Sequence, residues 1–292
     1  MEKAVWKLSP QLWNADLESS AIFLTFAHQI ILTHMSYPIC FVSLGPGDPE
    51  LITLKGLKKL RQADIIYCPA TISKSGQLLS RAARIIEGLE IEKSVVQFFT
   101  LPMSKDRTKV WKVYDTLYEK AISARDKEKK VVIVAEGDAG FYSSIQYIYD
   151  KFKENRIEVE RTAGIPAFIA AGALAGLHIV KQEEQIIVIP GMLTAEELSK
   201  KIKTGNVIVI MKLSQCVEAV HTCIRLHPET NFHYFENVGT GEEFYTSDRK
   251  QIQRKIFPYF SLMIIQQYLN YLTFHFVIIQ KYIYFCFPLK LT

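Results

Sequence analysis

The chain has 292 residues, 49% hydrophobic and 22% charged, which is enough to bury one large core or two small ones and is the balance of a soluble globular protein. Its net charge of +5 arises from Lys and Arg alternating with Asp and Glu; this argues against a nucleic-acid surface and suits a small polyanionic ligand. Cys40, Cys68, Cys216, Cys223 and Cys286 form no Cys-x-x-Cys pair and leave one over, so neither a structural metal site nor a disulfide framework is expected, and a reducing cytoplasm fits.

Residues 1–36 read as an atypical N-terminal extension. The apolar run at 21–32 is interrupted by His28 and Gln29 and preceded by Glu2, Asp16 and Glu18, which makes it a poor signal peptide and too short to span a bilayer. The folded unit is expected to begin near Met35. Residues 39–44 are a short apolar run, read as a buried strand, that breaks on Gly45-Pro46-Gly47. Asp48 then stands as a helix N-cap, Pro49 at the first helical position and Glu50 in the first turn, with Leu51, Leu54, Leu57 and Leu60 following at helical spacing. Strand, glycine turn and helix open an α/β unit, and in such sheets ligands collect at the carboxyl ends of strands. The loop lacks the Gly-Lys-Ser/Thr ending of a phosphate loop.

A second buried strand is expected at 63–69, stopped by Pro69, then a loop at 73–76 and a helical stripe of Leu78, Leu79, Ala82, Ile85 and Ile86. Residues 95–99 read as a third strand and 108–125 as an amphipathic helix. The fourth strand, 130–135, is apolar after its first residue, as a central parallel strand should be. This alternation predicts a parallel sheet with right-handed crossovers. At the end of that strand Glu136-Gly137-Asp138-Ala139-Gly140-Phe141-Tyr142 makes a second glycine turn, before a helix through Ile145, Ile148, Tyr149 and Phe152. A short strand at 158–161 leads into the Ala- and Gly-rich stretch 162–177, a helix able to pack closely against backbone or a flat ligand.

Apolar periodicity lapses at 178–182, which divides an N-terminal α/β domain, 37–180, from a C-terminal one, 181–266. In the second domain strands are expected at 185–190, 206–211, 231–237, 244–246, 251–255 and 259–265. Helices run from the N-cap Thr194 to Lys201 and through Val217, Val220, Cys223 and Ile224, so this half reads as a mixed sheet with helices. Residues 256–280 contain no Lys, Arg, Asp or Glu and by length could span a membrane. Pro258, Gln266, Gln267, Asn270 and His275 make that unlike a span, and 259–265 reads better as a closing core strand before an atypical apolar tail, 267–292.

The turns at Gly45, Gly137, Pro166 and Gly239, together with Met211, resemble in order and spacing the motifs of the tetrapyrrole methylases, S-adenosylmethionine-dependent enzymes of cobalamin and sirohaem synthesis. Gly-Pro-Gly-Asp-Pro-Glu-Leu (45–51), Gly-Asp-x-x-Phe-Tyr-Ser (137–143), Ile-Val-Ile-Met-Lys (208–212) and Pro-Tyr-Phe-Ser-Leu (258–262) are most similar to the branch that methylates C20 of precorrin-2. Ala139, Ala163 and His178 depart from prolines of the family pattern, and Cys68-Pro69 fills the place where other branches carry an Asp proposed as a base. The resemblance implies two α/β domains in a homodimer, with S-adenosylmethionine in the cleft between them. Carried over by motif, Pro46 lines the cleft floor, and Gly137, Asp138, Phe141 and Tyr142 hold the methionine and adenosine portions. Pro166, Ala167, Met211 and Gly239 close round the adenine. The implied substrate is rimmed with carboxylates, which makes Lys74, Arg81, Arg107 and Lys212 the candidates to orient it. No residue is assigned as the proton-removing base. The alternatives are another tetrapyrrole carbon (uroporphyrinogen III, precorrin-3 or precorrin-4 type), a non-tetrapyrrole target of the same fold, such as a diphthamide precursor or ribosomal RNA, and a non-catalytic, membrane-tethered binder.

Overall fold

The structure, a computed structural model, describes residues 37–73, 75–102 and 107–267. The N-terminal extension, Lys74 and the tail from 268 onward lie outside the described residues.

In the first half the strands are β1 (Ile39–Ser43), β2 (Ile65–Ile72), β3 (Leu78–Leu79), β4 (Val96–Thr100), β5 (Val131–Ala135) and β6 (Val159–Thr162). Between and after them come α1 (Leu54–Arg61), α2 (Arg81–Gly88), α3 (Arg107–Arg125), α4 (Gln146–Glu154) and α5 (Ala167–Leu174). Strands β4, β2, β5, β1 and β6 lie parallel in that order, and β3 turns back antiparallel along the end of β2. Both faces of the central strands are covered, which is why β1 and β5 are buried at every position. Ile39, Phe41, Val131 and Ile133 pack towards α3 and α4. Cys40, Val42, Val132 and Val134 alternate onto the opposite face, against Leu60, Ala82 and Ile85 of α1 and α2.

The second half contains β7 (Ile186–Ile189), β8 (Val207–Ile210), β9 (Thr230–Glu236), β10 (Phe244–Thr246) and β11 (Ser261–Gln267), with helices α6 (Ala195–Lys203), α7 (Val217–Leu226) and α8 (Arg249–Arg254). The strand order is β10-β9-β11-β8-β7, with β7 and β8 parallel and the rest antiparallel. The closing strand therefore enters the middle of its sheet. Helices α6, α7 and α8 cover one face. The other face is covered by α5, whose Phe168 and Ala171 join Val207, Val209, Phe235, Leu262 and Ile264 in one apolar cluster. By packing, α5 thus belongs with the second sheet, although in the chain it directly follows the last strand of the first.

Four local expectations are corrected. The helix expected from Asp48 is only a single 3-10 turn, Pro49–Leu51, capped by the Asp48 carboxylate. The chain then re-extends through Ile52, and Thr53 caps α1 by accepting the Gly56 N–H, so Leu54 lies on the surface, 76% exposed. Pro69 does not stop β2. The Ala70 carbonyl accepts from Leu101 on the β4 side, so the imide nitrogen of Pro69 faces the other edge, where pairing with β5 has already ended at Tyr67. A missing N–H costs nothing there. Residues 251–254 are helical, not extended, because the Asp48-like cap Asp248 accepts the N–H groups of Lys250 and Gln251 and starts α8, and only the C-cap Lys255 is extended. Leu78 and Leu79, read as the start of a helical stripe, instead form β3.

The first half is locked locally by a buried polar hub. Ser43 Oγ donates to the Thr162 carbonyl at 2.6 Å and accepts from the Ala139 N–H at 2.8 Å, while the Ser43 N–H donates to Thr162 Oγ1 at 3.2 Å. These bonds tie β1, β6 and the turn after β5 into one unit. Gly164 sits against this hub with so little room that a Cβ would fall 2.4 Å from Ser43 Cβ and 2.5 Å from the Gly137 carbonyl oxygen. Gly164→Ala is therefore expected to cost ~1–3 kcal/mol through overpacking, read as a lower urea midpoint with an unchanged m-value.

Candidate functional site

The carboxyl ends of β1 and β5 carry the two glycine turns, and the turns are bonded to each other. The Gly45 N–H donates to the Gly137 carbonyl at 3.1 Å and the Gly137 N–H to the Gly45 carbonyl at 2.7 Å. Gly137 has a φ of +65° and nothing within 4 Å of where a Cβ would project, so its Cα faces open space. Its own amide and carbonyl are spent on Gly45, so what it offers a ligand is close approach and not hydrogen bonds. Asp138 is also occupied: one carboxylate oxygen accepts the Gly140 N–H and the other the Gly164 N–H, both at 2.7 Å. It pins the second turn to the stretch that leads into α5.

From here the second sheet is one contact away. A Cβ on Gly47 would lie 2.8 Å from the Gly239 carbonyl oxygen, and one on Gly239 would lie 2.9 Å from the Asp48 nitrogen. The backbone of the first turn thus abuts the backbone of the loop after β9. Arg81 bridges the same seam, with Nη2 donating to the carbonyls of Pro46 at 3.3 Å and Val238 at 3.4 Å, while its guanidinium lies 4.0 Å over the Phe260 ring. Tyr142, in a left-handed backbone conformation at φ 50°, crosses elsewhere: its hydroxyl donates to the Val188 carbonyl at 3.0 Å.

Pro46, Gly137, Asp138, Phe141, Tyr142, Pro166, Ala167, Met211 and Gly239 all lie along this seam. Phe141, Ala167 and Met211 are half-buried on the edge of the apolar cluster between α5 and the second sheet. Phe141 contacts Phe168 at 5.9 Å between ring centroids and Tyr142 at 4.6 Å. Pro166 stands at the N-cap of α5. Of the basic residues, Arg81 sits in the seam and Arg107 comes within electrostatic reach of Tyr259 beside it. Lys212 stands in a left-handed turn after β8, and Lys74 lies outside the described residues.

Three members of the site were not singled out from the sequence. Ser43 and Gly164 gave weak signals, a serine in an otherwise apolar strand and a glycine before Ile-Pro. Glu136 gave a stronger one, a carboxylate directly after five buried apolar residues. Its pKa is pushed up by burial, against the opposing pulls of Arg81 and of the Ala82 backbone N–H. Cys68, at the place where related branches carry an Asp, is fully buried, and burial pushes its thiol up to about 11. It is no base at neutral pH.

These features define a two-sheet α/β protein whose glycine turns stand at strand carboxyl ends, where one sheet meets the other. The chain belongs to the tetrapyrrole (corrin/porphyrin) methylases: the family model matches residues 38–253. It is 28% identical over 232 residues to a precorrin-2 C(20)-methyltransferase of Sinorhizobium sp, covering 77% of this chain and 93% of that protein. A probable cobalt-precorrin-2 C(20)-methyltransferase of Methanocaldococcus jannaschii is 32% identical over 171 residues, 59% of this chain and 70% of that one. Among solved structures, a cobalt precorrin-4 methyltransferase shares the fold with a TM-score of 0.60 at 19% identity, over 78% of this chain and 94% of that one. A Thermus thermophilus uroporphyrin-III C-methyltransferase complexed with S-adenosylhomocysteine shares it with a TM-score of 0.56 at 17% identity, over 79% and 97%. Among the described residues no helix is long and apolar enough to cross a membrane.

Two outcomes are expected. Arg81→Lys replaces a planar fork by a point charge that cannot serve both carbonyls; it should lower unfolding stability by ~1–3 kcal/mol, measured by denaturant titration, with the circular dichroism spectrum of the folded state unchanged. At pH 8 a thiol with a pKa near 11 stays protonated, so Cys68 should resist iodoacetamide in the folded protein and react on unfolding, as peptide mass mapping would read.

Proposed function

We propose that the protein transfers a methyl group from S-adenosylmethionine to C20 of precorrin-2 or its cobalt form, in corrin ring biosynthesis, as a cytoplasmic homodimer. The cofactor lies in the cleft between an N-terminal domain, 37–180, and a C-terminal one, 181–266. The observation that carries this reading is the open Cα face of Gly137 at the seam of the two sheets, beside the half-buried Phe141, Ala167 and Met211. A flat adenosine can lie against such a surface without displacing a side chain, so the residues present fit the group. Pro46, Asp138, Tyr142, Pro166 and Gly239 complete the wall. The C20 position is supported by the names of the Sinorhizobium and Methanocaldococcus relatives.

When bound, S-adenosylmethionine supplies a methyl already activated on sulfur, so the protein's part is placement. Gly137 and Pro46 fix the depth of the donor, and the apolar flank keeps water from the reacting carbon. Arg81 and Arg107 orient the acidic rim of the macrocycle through charge-assisted hydrogen bonds. Holding donor and acceptor in line removes roughly 7–11 kcal/mol of barrier in favourable cases, a large part of the ~8–23 kcal/mol that enzymes supply.

With precorrin-2 and S-adenosylmethionine carrying a labelled methyl group, one label per macrocycle is expected at C20, located by mass and NMR analysis of the product. Calorimetry should show saturable binding of both the cofactor and its demethylated form. Label at another ring carbon would keep the enzyme class and change the position; no transfer and no binding heat would end the proposal.

A further inference from the structure

The stretch Pro258-Tyr259-Phe260-Ser261-Leu262 lies outside the wall given to the cofactor, and the structure divides it. Ser261 Oγ donates to the Pro258 carbonyl at 2.6 Å, and Leu262, in β11, joins the apolar cluster between the second sheet and α5. Phe257, just before the stretch, is buried as well. Tyr259 and Phe260 are not: they stand 54% and 40% exposed, neighbours in the chain. Folding gains little from rings left in water, and two of them side by side at a seam mark a contact surface.

The pair is nonetheless held in place. The two rings stand perpendicular, 5.0 Å between centroids and 89° between planes, a favoured aromatic geometry. The Phe260 carbonyl accepts the Asn237 N–H at 2.9 Å, which ties the corner to the end of β9. The Arg81 guanidinium lies 4.0 Å over the Phe260 ring, and its Nη2 reaches the carbonyls of Pro46 and Val238. Among the described residues Nε and Nη1 of Arg81 have no hydrogen-bond acceptor, so donors remain beside the rings. Glu136 and Glu242 lie within electrostatic reach of Arg81, and neither forms an ion pair with it among the described residues.

These features suit one kind of ligand. A conjugated, flat macrocycle has a face that stacks on an aromatic ring, and rim carboxylates that pair with a guanidinium. The corner also stands where such a ligand would meet the cofactor. Arg81 touches Pro46, in the turn after β1, whereas the adenosine flank of Phe141, Ala167 and Met211 packs with α5. We propose that the Tyr259–Phe260 corner is the wall on which the tetrapyrrole stacks and that it selects the substrate by its flat conjugated face, an inference that rests on the methyl-transfer reading above. Arg81 holds Phe260 and offers its remaining N–H groups to a rim carboxylate. Because the contact is made to the ring system and not to the reacting carbon, it is equally strong before and during methyl transfer.

The test uses the full chain loaded with S-adenosylhomocysteine, so that precorrin-2 binds without reacting, and follows the absorbance of the macrocycle on titration. Tyr259→Leu keeps an apolar side chain and removes the ring. The dissociation constant for precorrin-2 should rise roughly 5- to 100-fold, the loss that goes with one stacked ring. In turnover with S-adenosylmethionine, KM should rise in step while kcat stays within about three-fold, the signature of lost uniform binding. Affinity for S-adenosylhomocysteine and the urea midpoint should stay at the wild-type values, and Tyr259→Phe should restore precorrin-2 binding. Ile256→Ala, in the same segment and 91% exposed, is the control and should change none of these quantities. With ring-labelled tyrosine, the resonance that Tyr259→Phe removes should move when precorrin-2 is added to the wild type and not with S-adenosylhomocysteine alone. That reading stands even if Tyr259→Leu does not fold. An unmoved resonance, or an unchanged dissociation constant and KM in Tyr259→Leu, would overturn the assignment and leave methyl transfer standing. An equal loss in Ile256→Ala would overturn it too, by marking a structural effect of the segment. Failure of the wild type to bind precorrin-2 at all would overturn this assignment and the C20 reading together.

Discussion

The seam of this structure depends on backbone meeting backbone where two sheets touch. Gly47 and Gly239 approach so closely that no Cβ fits between them, and Gly45 and Gly137 exchange a pair of hydrogen bonds at the ends of adjacent parallel strands. Side chains at these corners would hold the sheets apart by their own thickness. With bare peptide there, the turn after β1 is shared by both halves.

The polar groups around this seam mostly serve it rather than a ligand. Ser43, Thr162 and Asp138 use their hydroxyls and carboxylate to hold β1, β6 and the second turn in one arrangement. Buried bonds of this kind contribute about 0.5–1.5 kcal/mol each when made and cost more when one partner is lost. Their larger effect is on geometry: a turn pinned at both ends of Asp138 cannot drift when a ligand arrives. Preorganisation of this sort suits a reaction whose activated group comes with the cofactor and whose demand on the protein is position. Arg81 serves the seam in the same way, through the carbonyls of Pro46 and Val238 and the ring of Phe260.

Much of the fold is legible in the chain because both sheets have unambiguous cores. The runs that become β1, β5 and β8 are apolar at nearly every position, as strands buried on two faces must be. The capping box at Thr194 and Glu197 marks the start of α6 as plainly in the structure as in the sequence. The failures have separate local causes. Asp48 and Thr53 both start helical turns, and the Pro49 segment stops after one because Ile52 returns to the extended conformation. Asp248 was outweighed by the alternation after it, in which a single buried residue, Ile252, supplied the pattern. Pro69 read as a stop because nothing in a sequence tells which edge of a strand is already unpaired.

By itself the sequence determined where strands end in glycine turns, and hence which residues stand at candidate binding corners, because strand burial and turn chemistry are local properties of neighbouring residues. Only the tertiary structure decided which corners meet. That α5 turns its Phe168 to the second sheet, that β11 enters between β8 and β9, and that Arg81 reaches the carbonyls of both Pro46 and Val238 depend on contacts between residues far apart in the chain. Those contacts are set by how whole faces fill space against one another, and no stretch of sequence short enough to read by period carries that information.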